Sequence, residues 1–244
     1  MGDVRVLFQE QIPAAARELR WHIISVAAGF FLSGLAGWWM VSTFPELAAL
    51  FASEGMIDTV ERGELWTDNL LNIMPSSLLS LQILTNNIVV ALTAVALGAL
   101  YGLGTVYIIG LNGLMLGGIF AFTAQHGMAG ELFDFVVAHG CVELSVIAVA
   151  GAIGFSVGES VARPGMRGRG EAFREAMRRA TRLLCLCVVF LVLAGFIEGY
   201  ISPNPSFTRS VRVAVGLASL ALFIFALGGW RMRAPRATTR PDGL

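Results

Sequence analysis

The longest uncharged stretch of the chain, residues 69–130, decides the fold; it reads NLLNIMPSSLLSLQILTNNIVVALTAVALGALYGLGTVYIIGLNGLMLGGIFAFTAQHGMAG. None of its 62 residues is Asp, Glu, Lys or Arg. A second stretch of 25 residues, from Trp21 to Pro45, is equally free of charge. One membrane-spanning helix needs about 20 predominantly apolar residues. The longer stretch therefore has room for at least two spans and the shorter one for another, which predicts a protein embedded in a lipid bilayer.

The composition of the whole chain agrees with this prediction. Of its 244 residues, 56% are hydrophobic and only 14% are charged, whereas about a quarter of the residues of a soluble domain are charged. All 17 basic residues are arginines, and the net charge is zero. The arginines lie between apolar segments and form no basic domain, which argues against nucleic-acid binding. The three cysteines lie inside apolar segments at spacings that exclude a disulfide scaffold.

Six apolar segments are predicted to span the membrane: 21–42, 86–109, 111–126, 132–158, 183–203 and 210–230. The third covers only about 24 Å as a helix, so a short span, a tilted segment and a re-entrant loop are all open by length. Arginine placement favours a span. With six crossings and the N-terminus inside, 14 of the 17 arginines are cytoplasmic, as the positive-inside rule requires. The predicted fold is an all-α, multi-pass bundle of about six transmembrane helices with both termini in the cytoplasm.

The remaining segments are assigned by their composition. Residues 1–20 are predicted to be a cytoplasmic amphipathic segment, 21–230 a single transmembrane domain and 231–244 a disordered cytoplasmic tail. The outer connection 43–85 is acidic in its front half. Its back half, 70–84, is predicted to form an interfacial or partly re-entrant amphipathic helix before the second span, in preference to an ordinary loop. Arg209 and Arg212 are expected at the outer end of the last helix, paired with a nearby acid or reaching toward the interface.

Polar residues within the spans are costly and therefore informative. A carboxylate at the centre of a spanning helix costs about 2.5–3.5 kcal/mol on insertion scales, so it normally faces the bundle interior. His139 and Glu143 are four residues apart and share one helix face. The predicted topology gathers six polar residues toward the outer side of the membrane, with Glu143 close to the midplane: Asn86, Asn87, His126, His139, Glu143 and Glu198. Asn112 alone is expected at the cytoplasmic turn between the second and third spans.

This outer polar set has two interpretations. It is either a proton relay, an ion site or a pocket for a polar group of a partner, or a set of hydrogen bonds that lock the helices together. His139 and Glu143 offer two ligands where a catalytic zinc site has three protein ligands. No nucleophile–base pair for covalent catalysis is evident either. We therefore predict no metal, no cofactor and no enzymatic activity.

Several ordered motifs together resemble the stage II sporulation protein M family. They are Thr85-Asn86-Asn87, the run from Tyr101 to Tyr107, Asn112-Gly113 followed by Gly117, His139-Gly140 with Glu143-Leu144, and the run from Gly195 to Gly199 leading to Ser202-Pro203. The resemblance covers about residues 15–230. It departs from the family at Ala138, where many members carry a proline before the His-Gly pair.

The resemblance implies a membrane scaffold in the bacterial cytoplasmic (inner) membrane. Founding members anchor peptidoglycan-remodelling complexes during sporulation, and longer relatives are linked to ATPases. The implied partners are membrane lipids and either extracytoplasmic hydrolases or a cytosolic ATPase, with a homo-oligomer open and no nucleic acid. The acidic outer loop and the outer polar set are the expected docking surface. The alternative is a small transporter or ion-coupled permease in which Glu143 and His139 form a relay.

Overall fold

The computed structural model describes residues 2–67, 76–166 and 168–228. Nine α-helices occur in these ranges: α1 (Gly2–Val6), α2 (Ile12–Glu18), α3 (Arg20–Thr43), α4 (Glu54–Glu61), α5 (Ser76–Ala96), α6 (Leu103–Gln125), α7 (Ala129–Ala162), α8 (Arg169–Tyr200) and α9 (Arg209–Gly228). Within them no β-strand occurs. Six of the helices, α3 and α5–α9, are long and apolar enough to cross a membrane. The predicted six-helix, all-α bundle is confirmed, and the predicted tail 231–244 lies outside the described residues.

Helix α7 forms the centre of the bundle. It packs against α3, α5, α6, α8 and α9, and it is the most buried of the six long helices. Its 34 residues span about 51 Å, and the 32 residues of α8 span about 48 Å. Both lengths exceed the hydrocarbon thickness of about 30 Å. The two helices therefore extend beyond the membrane core.

The boundary between the second and third spans differs from the prediction. The chain turns at residues 100–102, where Tyr101 (φ 56°) and Gly102 (φ 81°) adopt left-handed conformations. Glycine tolerates this conformation without strain. The third span consequently runs over all 23 residues of α6, long enough to cross the bilayer at about 34 Å.

The expected position of Asn112 at a cytoplasmic turn is wrong. Asn112 lies inside α6, and its side-chain amide donates a hydrogen bond of 2.8 Å to the carbonyl of Ile108, one turn earlier. The helix itself therefore satisfies the amide, and the Asn-Gly dipeptide does not break it. Because Asn112 hydrogen-bonds its own helix, it can lie within a span although an Asn-Gly pair is typical of a turn.

The predicted interfacial helix over 70–84 is also corrected where the structure describes it. Residues 76–84 are the first turns of α5, and the candidate span starts at Ser80. Thr85, directly after this segment, does not interrupt the helix: its hydroxyl donates to the carbonyl of Leu81 within α5. The rest of the predicted segment, 70–75, lies outside the described residues.

Glycines allow neighbouring helices of the bundle to approach each other closely. A Cβ atom added at Gly98, after α5, would lie 2.7 Å from the Cα of Gly154 on α7. A Cβ at Gly117 of α6 would lie 2.7 Å from the carbonyl carbon of Gly34 on α3. Real Cβ atoms do not fit at such distances. Small residues thus let the helix backbones pack directly, and such close packing is one of the forces that drive helix association in lipid.

The two ends of the bundle are covered differently. At one end, a 3₁₀-helix over Pro45–Leu50 and α4 pack their apolar residues on the end of α6 and the start of α7; the buried members of this contact include Ala48, Val60, Leu65, Phe122, Met128 and Leu132. We call residues 45–67 the acidic cap. At the other end, Ile12, Ala15 and Leu19 of the N-terminal segment join the main core beside α8 and α9.

Candidate functional site

Five polar side chains meet between α5, α7 and α8, and we call them the buried polar cluster: Asn87, His139, Glu143, Glu198 and Ser202. His139 and Glu143 lie one turn apart on α7, as their spacing predicts. Asn87 comes from α5 and Glu198 from α8. Ser202 lies just after the end of α8. The cluster therefore joins three different spans.

The contacts within the buried polar cluster form a continuous chain. Nδ1 of His139 shares a hydrogen bond of 2.9 Å with Oγ of Ser202, and its Nε2 lies 3.7 Å from Oε1 of Glu198. The amide of Asn87 donates a hydrogen bond of 2.6 Å to Oε1 of Glu143. One ligand atom each from His139, Glu143 and Glu198 lie within 4.8 Å of one another.

The cluster is shielded from solvent, and its charges are not balanced. His139, Glu198 and Ser202 are only 4%, 8% and 1% exposed, and Glu143 is partly buried. Oε2 of Glu198 is buried and has no hydrogen-bond partner among the described residues. In the described part of the chain, no arginine forms an ion pair with either carboxyl group. Two carboxyl groups this close in a medium of low dielectric constant need a proton or a cation to compensate them.

The structure brings together four of the six residues predicted as the outer polar set. Asn86 points away from the cluster, because it lies one residue before Asn87 on α5 and is exposed. His126 ends α6, where Nδ1 hydrogen-bonds the carbonyl of Phe122 at 2.9 Å, and it is exposed. Depth in the membrane was an insufficient criterion for these two, because it carries no information on which face of a helix meets its neighbours.

A cavity of about 250 Å³ lies beside the cluster, at the end of the bundle that carries the acidic cap. Its lining includes Thr67, Glu131, Asp134, Phe135, Ser202 and Arg212. Ser202 therefore contacts both the cavity and His139. The cavity therefore connects this end of the bundle to Ser202, one member of the buried polar cluster.

Arg209, one of the two arginines expected at this end of the bundle, has the acid partner that the sequence gives as one alternative. Arg209 binds Asp134 of α7 through two hydrogen bonds, of 2.5 Å from Nε and 2.9 Å from Nη2. Arg212 donates to the backbone carbonyl of Asn204 at 3.0 Å. These contacts tie the connection between α8 and α9 to the start of α7.

A second polar site lies at the opposite end of α7. A cleft of about 400 Å³ is lined by residues that include Ser156, Glu159, Ser160, Arg163, Glu175 and Arg179. Glu159 contacts Nε2 of His22 at 3.2 Å. Arg179 forms an ion pair of 3.2 Å with Glu18 of α2. We call this region the arginine-rich cleft.

Sequence reasoning missed Ser202, Asp134 and His22 as partners in these sites. Ser202 carried a usable signal, because it lies three residues after the motif Gly195–Gly199 and four residues after Glu198. Asp134 and His22 carried none, since each pairs with a residue more than 70 positions away. Such contacts depend on which helices are neighbours.

Comparison with known proteins identifies the family. Neither the curated proteins nor the solved structures gave a match to the chain. The family model described as "Stage II sporulation protein M" matches residues 26–203. The matched region runs from α3 to just after α8 and contains every member of the buried polar cluster. The chain therefore belongs to the stage II sporulation protein M family.

Proposed function

We propose that the protein is a membrane scaffold that holds partner proteins at two charged surfaces, one at each end of its helix bundle. The observation that carries this proposal is the acidic cap. It is an ordered surface element whose apolar face is packed and whose carboxylates point outward. A surface of this kind, with a packed apolar face and exposed carboxylates, is suited to binding a partner protein without catalysing a reaction.

The acidic cap separates apolar and acidic residues cleanly. Val60 and Leu65 are almost fully buried against the bundle. Five acids of the cap are exposed: Glu46, Glu54, Asp58, Glu61 and Glu64. Among the described residues none of the five forms an ion pair, and Arg62 is the one basic residue of the cap. A partner that binds here is therefore expected to present basic side chains.

The opposite end offers the complementary charge. The connection from 159 to 182 carries seven of the 17 arginines. From Arg169 onward, this connection is the first part of helix α8. Glu175 and Arg178 form one local ion pair at 3.5 Å. Arg174 and Arg178 are exposed, so an acidic partner or an anionic lipid surface fits this end.

The two surfaces lie on opposite sides of the membrane in this proposal. The acidic cap packs at the start of α7 and the arginine-rich cleft at its end, about 51 Å apart along the helix. The positive-inside rule assigns the arginine-rich end to the cytoplasm. The cap then meets an extracytoplasmic partner, such as a hydrolase, and the arginine-rich end meets a cytosolic partner, such as an ATPase.

The proposal is tested by neutralising the cap and comparing the proteins that co-purify after cross-linking in native membranes. The triple variant Glu54→Gln, Asp58→Asn, Glu61→Gln removes three exposed charges and no packing contact. If each of the three charges contributes about 0.5 kcal/mol to the free energy of partner binding, the cross-linked yield of the cap partner falls about tenfold. The loss is expected to be mimicked by high salt, which screens exposed charges.

The matched control is the variant Glu171→Gln, Glu175→Gln, which neutralises exposed or partly exposed acids at the other end. It should leave the cap partner bound. A cap variant that captures the same proteins in the same amounts as the wild type, at low and at high salt, contradicts the scaffold proposal. A loss of the partner in the control variant alone would show that the partner binds at the arginine-rich end instead of the cap.

A further inference from the structure

We infer that His139, Glu143 and Glu198 form a binding site for a divalent transition-metal ion of the Zn²⁺ type, inside the helix bundle. This inference goes beyond the scaffold proposal and does not depend on it. Sequence spacing alone offers two ligands, one turn apart on α7. The structure adds Glu198 from α8, which completes a set of three.

The three side chains have the chemistry and nearly the spacing of metal ligands. One imidazole nitrogen and two carboxylates are ligands that zinc accepts, with bonds of about 2.0–2.2 Å. Two ligands of a tetrahedral zinc ion are then about 3.3 Å apart. Nε2 of His139 and Oε1 of Glu198 are 3.7 Å apart, and the set lies within 4.8 Å. Small side-chain movements would therefore bring all three onto one ion.

The unpartnered oxygen of Glu198 is the independent observation that points to a ligand. Oε2 of Glu198 is buried without a partner among the described residues, on a side chain that is 10% exposed. A buried acceptor without a partner is costly. A cation provides that partner, and its two positive charges balance the two carboxylates beside the neutral imidazole.

The neighbours of the three ligands hold them in suitable orientations. Ser202 hydrogen-bonds Nδ1 of His139, which leaves Nε2 facing Glu198. The amide of Asn87 donates to Oε1 of Glu143, which leaves the second oxygen of that carboxylate for an ion. Outer partners of this kind fix the tautomer and direction of metal ligands. Asn87 and Ser202 are therefore assigned as positioning residues.

The cavity beside Ser202 provides the entry path. Its lining includes the carboxylate of Glu131, which forms no ion pair among the described residues and attracts a cation toward the start of α7, whereas the neighbouring Asp134 is paired with Arg209. A bound ion would link α7 to α8 directly, and to α5 through Asn87. The site would then connect the spans that carry the family motifs.

The test measures Zn²⁺ binding to the full-length protein, purified in detergent and stripped of metal with a chelator. The wild type is expected to bind one ion per chain. Glu143→Gln and Glu198→Gln each remove one ligand while conserving side-chain shape, and each should raise the Kd by about 100-fold or more; Ser202→Ala, which removes a positioning residue, should raise it about tenfold.

The matched control is Glu159→Gln, the same substitution on the same helix at an acid that contacts His22 outside the cluster. It should leave the Kd unchanged. The inference is overturned if the wild type binds no Zn²⁺, in which case protons compensate the carboxyl pair, or if binding is unaffected in the Glu143→Gln, Glu198→Gln double variant. If these variants do not fold, X-ray absorption of the Zn²⁺-loaded wild type decides: nitrogen and oxygen ligands support the site, and sulfur ligands from cysteines overturn it.

Discussion

The two histidine–glutamate contacts of this bundle have the same chemistry but lie in opposite surroundings. His22 and Glu159, at the arginine-rich cleft, are 3.2 Å apart, and their side chains are 32% and 56% exposed. His139 and Glu198, in the buried polar cluster, are farther apart at 3.7 Å and only 5% and 10% exposed. The shorter contact is the one that water can replace. The longer one is enclosed by apolar helices.

The comparison shows that surroundings decide the importance of a polar contact more than its length does. When an exposed pair breaks, each partner regains hydrogen bonds to water. The pair therefore contributes little to the free energy of unfolding. Inside the bundle, each orphaned group keeps its full desolvation cost. The buried pair also has further polar neighbours, Ser202 and Glu143. Three variants, taken in order of expected effect, sharpen this contrast.

The largest effect is expected from replacing the buried histidine. His139→Leu removes the partner of Ser202 and of Glu198 and leaves two buried polar groups unsatisfied. At about 1–3 kcal/mol for each orphaned group, the free energy of unfolding should fall by at least about 2 kcal/mol. Equilibrium unfolding in mixed detergent micelles measures it. His22→Leu is the control, and an equal loss in both variants would remove the distinction between the two regions.

A smaller effect is expected from removing the serine hydroxyl of the buried polar cluster. Ser202→Ala leaves Nδ1 of His139 without its partner, which should cost about 1–2 kcal/mol in the same unfolding measurement. Ser160 is the matched control, because it is also buried but its hydroxyl donates to the carbonyl of Val157 within its own helix. Ser160→Ala should be nearly neutral. A neutral Ser202→Ala would mean that the contact to His139 stabilises nothing.

The smallest effect is expected at the exposed pair. Glu159→Gln should change the free energy of unfolding by less than about 1 kcal/mol, and the change should shrink in about 1 M salt because exposed charges are screened. A large loss that persists in high salt would show that the arginine-rich cleft is closed from solvent and behaves like the buried polar cluster.

The sequence predicted the number and approximate place of the spans, because the hydrocarbon core requires long apolar segments whatever their neighbours are. It misplaced one boundary. Asn112 and Gly113 resembled a turn, but the actual turn occurs at Tyr101 and Gly102, where the backbone is left-handed. A single polar residue that bonds its own helix is indistinguishable, by composition, from one that ends a helix.

The candidate site could be predicted only in part. His139 and Glu143 were placed on one face of the same helix correctly, because a spacing of four residues fixes that face. Glu198 was expected at the same depth, but that it meets His139 follows from the packing of α8 on α7. Whether the pair of Glu143 and His139 acts as a relay stays a prediction.

By itself, the sequence determined that lipid surrounds the chain, that six helices cross it and that arginines gather at one end, since each of these follows from local composition and the cost of burying charge. Only the tertiary structure decided which polar faces meet. Contacts between Asn87 and Glu143, or between His139 and Ser202, join residues 56 and 63 positions apart. Their geometry depends on how closely glycine-lined helices approach one another, and no periodicity along the chain records that distance.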